Sequence, residues 1–207
     1  MNPSMNAQMW DARYGGAEFA YGCEPNRFLA AQALRLAPGG SAFVPGDGEG
    51  RNGVWLATRG LLVDTLDLSA KGVAKAQALA AERGVAINAV QGDALASDWP
   101  EARYDLIALI YLHLVPEDRR RLHAKALRAL KPGGWIVLES FRPEQIERQN
   151  AGARGGPRDP ALLYSVQDIR ADFAAAKTLE VEAAEIELEE GSLHVGPSSV
   201  VRALARR

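Results

Sequence analysis

The sequence predicts an α/β fold around a mostly parallel sheet, and three observations carry that prediction. Strand-like and helix-like periodicities alternate along most of the 207 residues. Residues 104–114, YDLIALIYLHL, are almost continuously apolar, the pattern of a strand buried on both faces. Gly46, Gly48, Gly50 and Gly53 stand between a short apolar run and a run of helical spacing, at the kind of strand-to-helix junction where open α/β sheets bind ligands.

Taken in order, residues 5–14 read as a short helix. Residues 26–37 carry Phe28, Leu29, Ala33, Leu34 and Leu36 at helical spacing until a PGG turn stops them. Residues 41–45 form the first strand. Residues 49–59 form a helix with Val54, Leu56 and Ala57 inward, ended by Gly60. LLVDTLDL at 61–68 is the second strand, and Ser69 caps a helix over 70–83 that Gly84 closes. VAINAVQGD at 85–93 is the third strand, and 104–114 is the fourth, at the centre of the sheet. Pro116 opens a helix that runs to Leu130, KPGG turns the chain, and WIVLESF at 135–141 is the fifth strand. Residues 142–164 are rich in Gly, Pro, Arg and Asn and hold no period; such a segment is either a loop at a binding site or a plain surface loop. A helix over 166–176 and two β-patterned segments, 179–188 and 198–205, complete the chain. No repeat or linker divides it, so one domain spans 1–207, with 1–37 as an N-terminal helical lid segment and 142–164 as a loop insertion near the site.

Composition narrows the partners. With 47% apolar and 24% charged residues the chain has ordinary globular character. A net charge of -2 and the absence of a long Lys/Arg run argue against nucleic acid or an anionic membrane as main partner; Arg119, Arg120 and Arg121 read as a solvated helix face. Cys23 is the only cysteine, which excludes a disulfide framework. No segment approaches the ~18 apolar residues of a membrane span, and residues 1–16 lack signal-peptide character. A cytoplasmic protein, monomeric or homodimeric, is expected.

The glycine loop admits two registers. Gly48-Glu49-Gly50-Arg51-Asn52-Gly53 spells G-x-G-x-x-G, the dinucleotide fingerprint. Gly46-Asp47-Gly48-Glu49-Gly50 instead gives G-x-G-x-G directly after the strand, and Pro45 with Gly46 favours that register by ending the strand early. Asp47 and Glu49 place two carboxylates where a pyrophosphate would have to sit, so a neutral or cationic ligand suits the loop better. Asp67, at the end of the second strand, can accept both hydroxyl hydrogens of a ribose; alternatively it is a helix cap beside Ser69. His123 reads as a surface residue of the 116–130 helix, and His194 as a structural residue in a turn, with substrate contact as the alternative. Three scattered histidines give no metal site.

WDARY at 10–14, YGCEPNRFL at 21–29, GDGEGRN at 46–52, LDLS at 66–69, GDA at 92–94 and LKPGGWIVLESF at 130–141 together resemble the class I S-adenosylmethionine-dependent methyltransferases. Within that family the resemblance is to the small bacterial branch of tellurite-resistance and thiopurine-type enzymes. It spans nearly the whole chain. It implies a doubly wound, mostly parallel seven-stranded sheet with helices on both faces and the last strand antiparallel. It implies S-adenosylmethionine as cofactor, with Gly46, Gly48 and Gly50 against its amino-acid and ribose portions, Asp67 on the ribose hydroxyls and Asp93 facing the adenine amino group. Asp47, Asn52, Leu68, Ala94 and Tyr111 join the same binding set. Tyr14 and Tyr21 are implied as substrate-pocket walls, with core packing as the alternative, and Arg142 with the loop after it is a further candidate. The family's carboxylate two residues before the loop is replaced here by Val44, with Asp47 or Glu49 as possible substitutes for holding the methionine ammonium.

The chemistry such a site needs is alignment of donor and nucleophile with water excluded. His113, just past the fourth strand, is placed to meet the methyl group, either as general base, with a rate limb near a pKa of ~6.5, or as a residue that only shapes the pocket. The expected function is methyl transfer to a small-molecule nucleophile. Alternatives are an NAD-linked oxidoreductase, for which no length remains for a substrate domain, and a non-catalytic S-adenosylmethionine-binding protein.

Overall fold

The computed structural model describes residues 3–33 and 38–207. Helices α1 (Pro3–Arg13) and α2 (Arg27–Ala33) precede β1 (Ser41–Pro45), α3 (Arg51–Thr58), β2 (Leu62–Asp67), α4 (Ala70–Glu82), β3 (Asn88–Gln91) and β4 (Tyr104–Ile110). Then come α5 (Pro116–Ala129), β5 (Leu130–Phe141), α6 (Gln145–Asn150), α7 (Val166–Asp172), β6 (Thr178–Glu190) and β7 (His194–Arg206). The end of the predicted 26–37 helix, residues 34–37, lies outside the described residues.

The seven strands run in the order β3-β2-β1-β4-β5-β7-β6. Strands β1 to β5 pair in parallel, and β7 is antiparallel to both β5 and β6. This is the doubly wound sheet that the sequence predicts. One face packs Leu29 of α2 and Leu56 and Ala57 of α3 on Val44, Leu106, Ala108 and Val137. The other packs Leu122, Ala126 and Ala129 of α5 and Ile169 of α7 on Ile107, Leu109, Ile136 and Leu138. Because β4 presents to both faces, its apolar run needs no alternation.

The structure departs from the predicted elements where tertiary pairing overrides local signal. KPGG lies within β5 as an irregularity: Tyr104 pairs with Leu130 but Leu106 with Trp135, so the extra residues bulge, with Gly133 at φ +84°. Residues 142–164 are not irregular throughout, since they hold α6 and a 3-10 turn, Pro160–Leu162. The β6–β7 hairpin is longer than its apolar pattern suggests. Phe141 at the end of β5 pairs with Val200, so the part of β7 from His194 to Ser199 reaches past the sheet's carboxyl edge, supported by its pairing with β6.

Two expectations for α5 are corrected. Arg119 is buried, not solvated, and pairs with Asp172 at 2.7 Å and Asp168 at 2.9 Å. His123 is buried, not on the surface: Nδ1 lies 2.8 Å from Asp172 Oδ2 and the ring stacks on Phe173. Both residues face α7, whose position over α5 the helix's own sequence does not reveal.

Candidate active site

The carboxyl ends of β1, β2, β4 and β5 form one edge, and the segments leaving them carry most of the predicted residues. Asp67 closes β2. Its Oδ2 accepts the Gly48 N–H and its Oδ1 the Ser69 N–H, both at 2.8 Å, so the carboxylate holds the glycine loop. Burial pushes its carboxyl above the usual range, against the lowering by those two bonds. Ser69, whose Oγ accepts the Gly72 N–H, is the cap of α4, which removes the helix-cap alternative for Asp67.

Gly48 has φ +59°, and a Cβ there would lie 2.6 Å from Tyr14 Oη. Tyr14 therefore lies directly on the loop; it is buried and stacks on Trp10. Gly50, at φ +89°, allows α4 to approach, since its Cβ would fall 2.5 Å from that of Ala76. Part of the glycine content thus answers to protein packing.

Both loop acids have partners. Asp47 Oδ2 accepts the Gly53 N–H at 3.0 Å in the first turn of α3, and burial pushes its carboxyl up to about 8. Glu49 accepts the Ala20 N–H at 2.8 Å and pairs with Lys75 at 2.6 Å. Both acids are thus tied into the loop's own structure, Asp47 by a backbone bond and Glu49 by Lys75 as well. Val44 itself is buried in β1. Asn52 Oδ1 accepts the Asn26 N–H at 2.9 Å. Beyond β3, Asp93 Oδ1 accepts the Leu95 N–H at 2.8 Å, and Leu68 and Ala94 are half-buried on the same edge.

At the end of β4 the chain turns sharply. Tyr111 has φ +52°, a strained conformation for a non-glycine residue, while its N–H still donates to the Glu139 carbonyl at 2.8 Å. Its hydroxyl donates to Glu139 Oε1 at 2.6 Å. Glu139 also receives Asn26 Nδ2 and Arg202 Nε, each at 2.6 Å. Tyr164 pins the next residues, its hydroxyl donating to the Leu112 carbonyl and accepting the Leu114 N–H.

His113 lies between those two bonds. Its Nδ1 is 2.6 Å from the Leu162 carbonyl, which assigns the proton to Nδ1; Nε2 is buried with no partner. Burial lowers its pKa to about 4, despite the opposing bond to Leu162, so the ring is neutral at pH 7 and the limb expected near 6.5 moves well down. Tyr21 receives a bond from Arg13 and its ring packs on His194 at 4.4 Å. Arg142 is tied to Glu144 at 2.6 Å and Ser199 at 3.3 Å, on the β7 side of the edge.

His194 is not in a turn. It is the first residue of β7, buried against Tyr21, Tyr111 and Phe141. Its Nδ1 is 3.1 Å from Glu190 Oε2, and Glu190 pairs with Arg51 of α3 at 2.8 Å. Sequence reasoning passes over this group and over Glu139. The available signal for the latter is an acid and a base, Glu139 and Arg202, each inside an apolar strand and placed opposite one another by β5–β7 pairing. Among the described residues no cluster of His, Cys, Asp and Glu could hold a metal ion.

Residues 45–134 match the family model described as a methyltransferase domain. No curated protein matches the chain significantly in sequence. Among solved structures, one described under the conversion of a disulfide bond into a thioacetal group during echinomycin biosynthesis is similar with TM-score 0.76 and 21% identity, over 97% of this chain and 91% of that one. The [4+2]-cyclase SpnF is similar with TM-score 0.70 and 17% identity, over 99% and 97%. The N-methyltransferase NodS from Bradyrhizobium japonicum WM9, in complex with S-adenosyl-L-homocysteine, is similar with TM-score 0.69 and 17% identity, over 97% of each chain. At these identities the structural likenesses speak for the fold. The sheet order and the structural likenesses show the fold of the class I methyltransferases, and residues 45–134 match a methyltransferase domain within it.

Proposed function

We propose that the chain methylates a small-molecule nucleophile at the carboxyl edge of the sheet. The observation that supports a small acceptor is the cover over that edge. The hairpin turn at Gly191 packs so tightly on the N-terminal segment that a Cβ would lie 2.5 Å from the Ala20 carbonyl oxygen, and Arg51–Glu190 ties the hairpin tip to α3. A covered site admits a metabolite rather than a polymer, and the net charge of -2 gives no attraction for nucleic acid. In this reading the domain is one unit, with residues 1–37 as the lid segment and 142–164 as a wall beside the site.

The donor fits the residues present, because Asp67 stands half-buried at the end of β2 with both oxygens directed by backbone N–H groups and lone pairs to spare. Asp67 would hold the ribose hydroxyls, Asp93 the adenine amino group, and Gly46, Asp47, Gly48, Gly50, Asn52, Leu68, Ala94 and Tyr111 would surround the rest. When bound, the sulfonium supplies a methyl group that is already activated. The protein's own work is then to orient the acceptor and exclude water. Tyr14 and Tyr21 would wall the acceptor site, and Arg142 would border it. The neutral His113 ring would accept a hydrogen bond from the acceptor through Nε2. Among the described residues no helix is long and apolar enough to cross a membrane, and a lone Cys23 suits a reducing cytoplasm.

The test incubates the protein with methyl-labelled S-adenosylmethionine and separate small-molecule, protein and nucleic-acid fractions of a cell extract. Label is expected in the small-molecule fraction. Label in nucleic acid or protein alone would overturn the acceptor class.

A further inference from the structure

Resting on the methyltransferase reading above, we propose that His194, oriented by Glu190, is the general base that takes the acceptor's proton during methyl transfer. The geometry has the parts of a carboxylate-oriented histidine. Nδ1 faces Glu190 Oε2 at 3.1 Å, and Glu190 is fixed by Arg51 at 2.8 Å with both side chains about nine-tenths buried. A carboxylate held by an arginine accepts, so His194 Nδ1 donates and the lone pair falls on Nε2. The ring cannot turn away, because Tyr21, Tyr111 and Phe141 lie 4.4, 4.7 and 5.3 Å from it, centroid to centroid.

The position is equally specific. Tyr111 and Phe141 end or follow the two central strands, so His194 is delivered by the overreaching hairpin to the place where those strands open. His113, the residue the sequence singles out, is different. Its Nδ1 is committed to a neutral carbonyl, and its Nε2 is buried with no carboxylate behind the ring to stabilise an imidazolium. Glu190 supplies that stabilisation to His194 alone.

In the step, the acceptor heteroatom attacks the methyl carbon as its hydrogen passes to His194 Nε2. The new heteroatom–carbon bond forms while the carbon–sulfur bond breaks, and its electron pair stays on sulfur as a neutral thioether. The imidazolium is balanced by Glu190 and returns its proton to water. The charged and titratable groups facing the ring are Glu190 from β6, Arg51 from α3, Glu139 from β5, Tyr21 from the N-terminal segment, and Tyr111 and His113 after β4. Burial lowers the His194 pKa and the Glu190 bond opposes it, so Glu190→Gln should lower it further.

Two readouts test this. Nitrogen NMR of histidine-labelled protein, without donor or acceptor, identifies the His194 signals by their loss in His194→Gln. The expected neutral form carries its proton on Nδ1 and titrates at lower pH in Glu190→Gln; a proton on Nε2, or a titration indifferent to Glu190→Gln, overturns the proposal. Label transfer from methyl-labelled S-adenosylmethionine to the small-molecule extract is then measured against pH. His194→Gln is expected to lose about a hundredfold or more in rate while calorimetry shows S-adenosyl-L-homocysteine binding unchanged, and Glu190→Gln to shift the ascending limb downward. Wild-type rate in His194→Gln at every pH overturns the base and leaves the methyltransferase reading intact. Donor binding without any transfer by the wild type overturns that reading, and the base with it.

Discussion

Asp67 holds two backbone N–H groups and, in this account, two ribose hydroxyls. Charge-assisted bonds of that kind are each worth ~1.5 to 3 kcal/mol. Asp67→Ala is therefore expected to weaken S-adenosyl-L-homocysteine binding by a hundredfold or more in calorimetry, with a folded circular-dichroism spectrum; unchanged affinity would reduce Asp67 to a loop tether. His113→Ala removes one neutral hydrogen bond worth about 1 kcal/mol, so its rate of label transfer should fall only about fivefold, whereas a loss of a thousandfold would make it the base instead. The places of these two residues at the sheet's edge are legible in the sequence because each sits at the end of an apolar run, and the end of a strand in an open α/β sheet is where ligands gather. Glu139 and His194 are not legible, because their meaning depends on which strand lies beside them. Glu139 acquires Arg202 through β5–β7 pairing, and His194 acquires Tyr21 and Tyr111 through the reach of the hairpin.

Elements follow the same division. The parallel core from β1 to β5 is readable from apolar runs punctuated by Gly and Pro, most clearly at β4, which is buried along nearly its whole length, while β3 at the sheet edge is largely exposed. The hairpin is longer than it reads, since Glu189, Glu190, Gly196 and Pro197 are poor strand formers that pairing nonetheless holds within the strands. Contact between α5 and α7 is equally invisible along either helix. Arg119 and Asp172 are both nearly inaccessible, so Arg119→Met strands a buried carboxylate and is expected to cost about 3 to 5 kcal/mol in urea denaturation. A loss below about 1 kcal/mol would show that the pair is solvated in solution. At the α3–α4 contact, Gly50→Ala combines a left-handed backbone with a Cβ 2.5 Å from that of Ala76. It should destabilise by about 2 kcal/mol or more, and Ala76→Gly in the same chain should recover part of that loss by relieving the overlap.

For the whole molecule, folding buries all three histidines or their ring nitrogens, and His113, His123 and His194 all have pKa values below the ordinary 6.5. A group lowered in this way is protonated in the unfolded chain before the folded one, so stability is lost as pH falls below about 6.5 towards the folded value, about 4 for His113. The raised carboxyls of Asp47 and Asp67 act in the opposite sense as pH rises, which makes the wild-type curve a sum of both. Comparing wild type with His113→Gln isolates one group: their stability difference should move against the wild type by up to about 1.4 kcal/mol per pH unit between 6.5 and 4, measured by urea denaturation. A constant difference would mean that His113 is hydrated. The central claim, that the carboxyl edge of this sheet is built for S-adenosylmethionine and for methyl transfer, is tested most directly by calorimetric titration of one protein preparation with S-adenosyl-L-homocysteine and with NAD. Saturable one-to-one binding of S-adenosyl-L-homocysteine, absent for NAD and lost in Asp67→Ala, is the predicted result; NAD binding as tightly or more tightly, through the G-x-G-x-x-G register of the same loop, would contradict it.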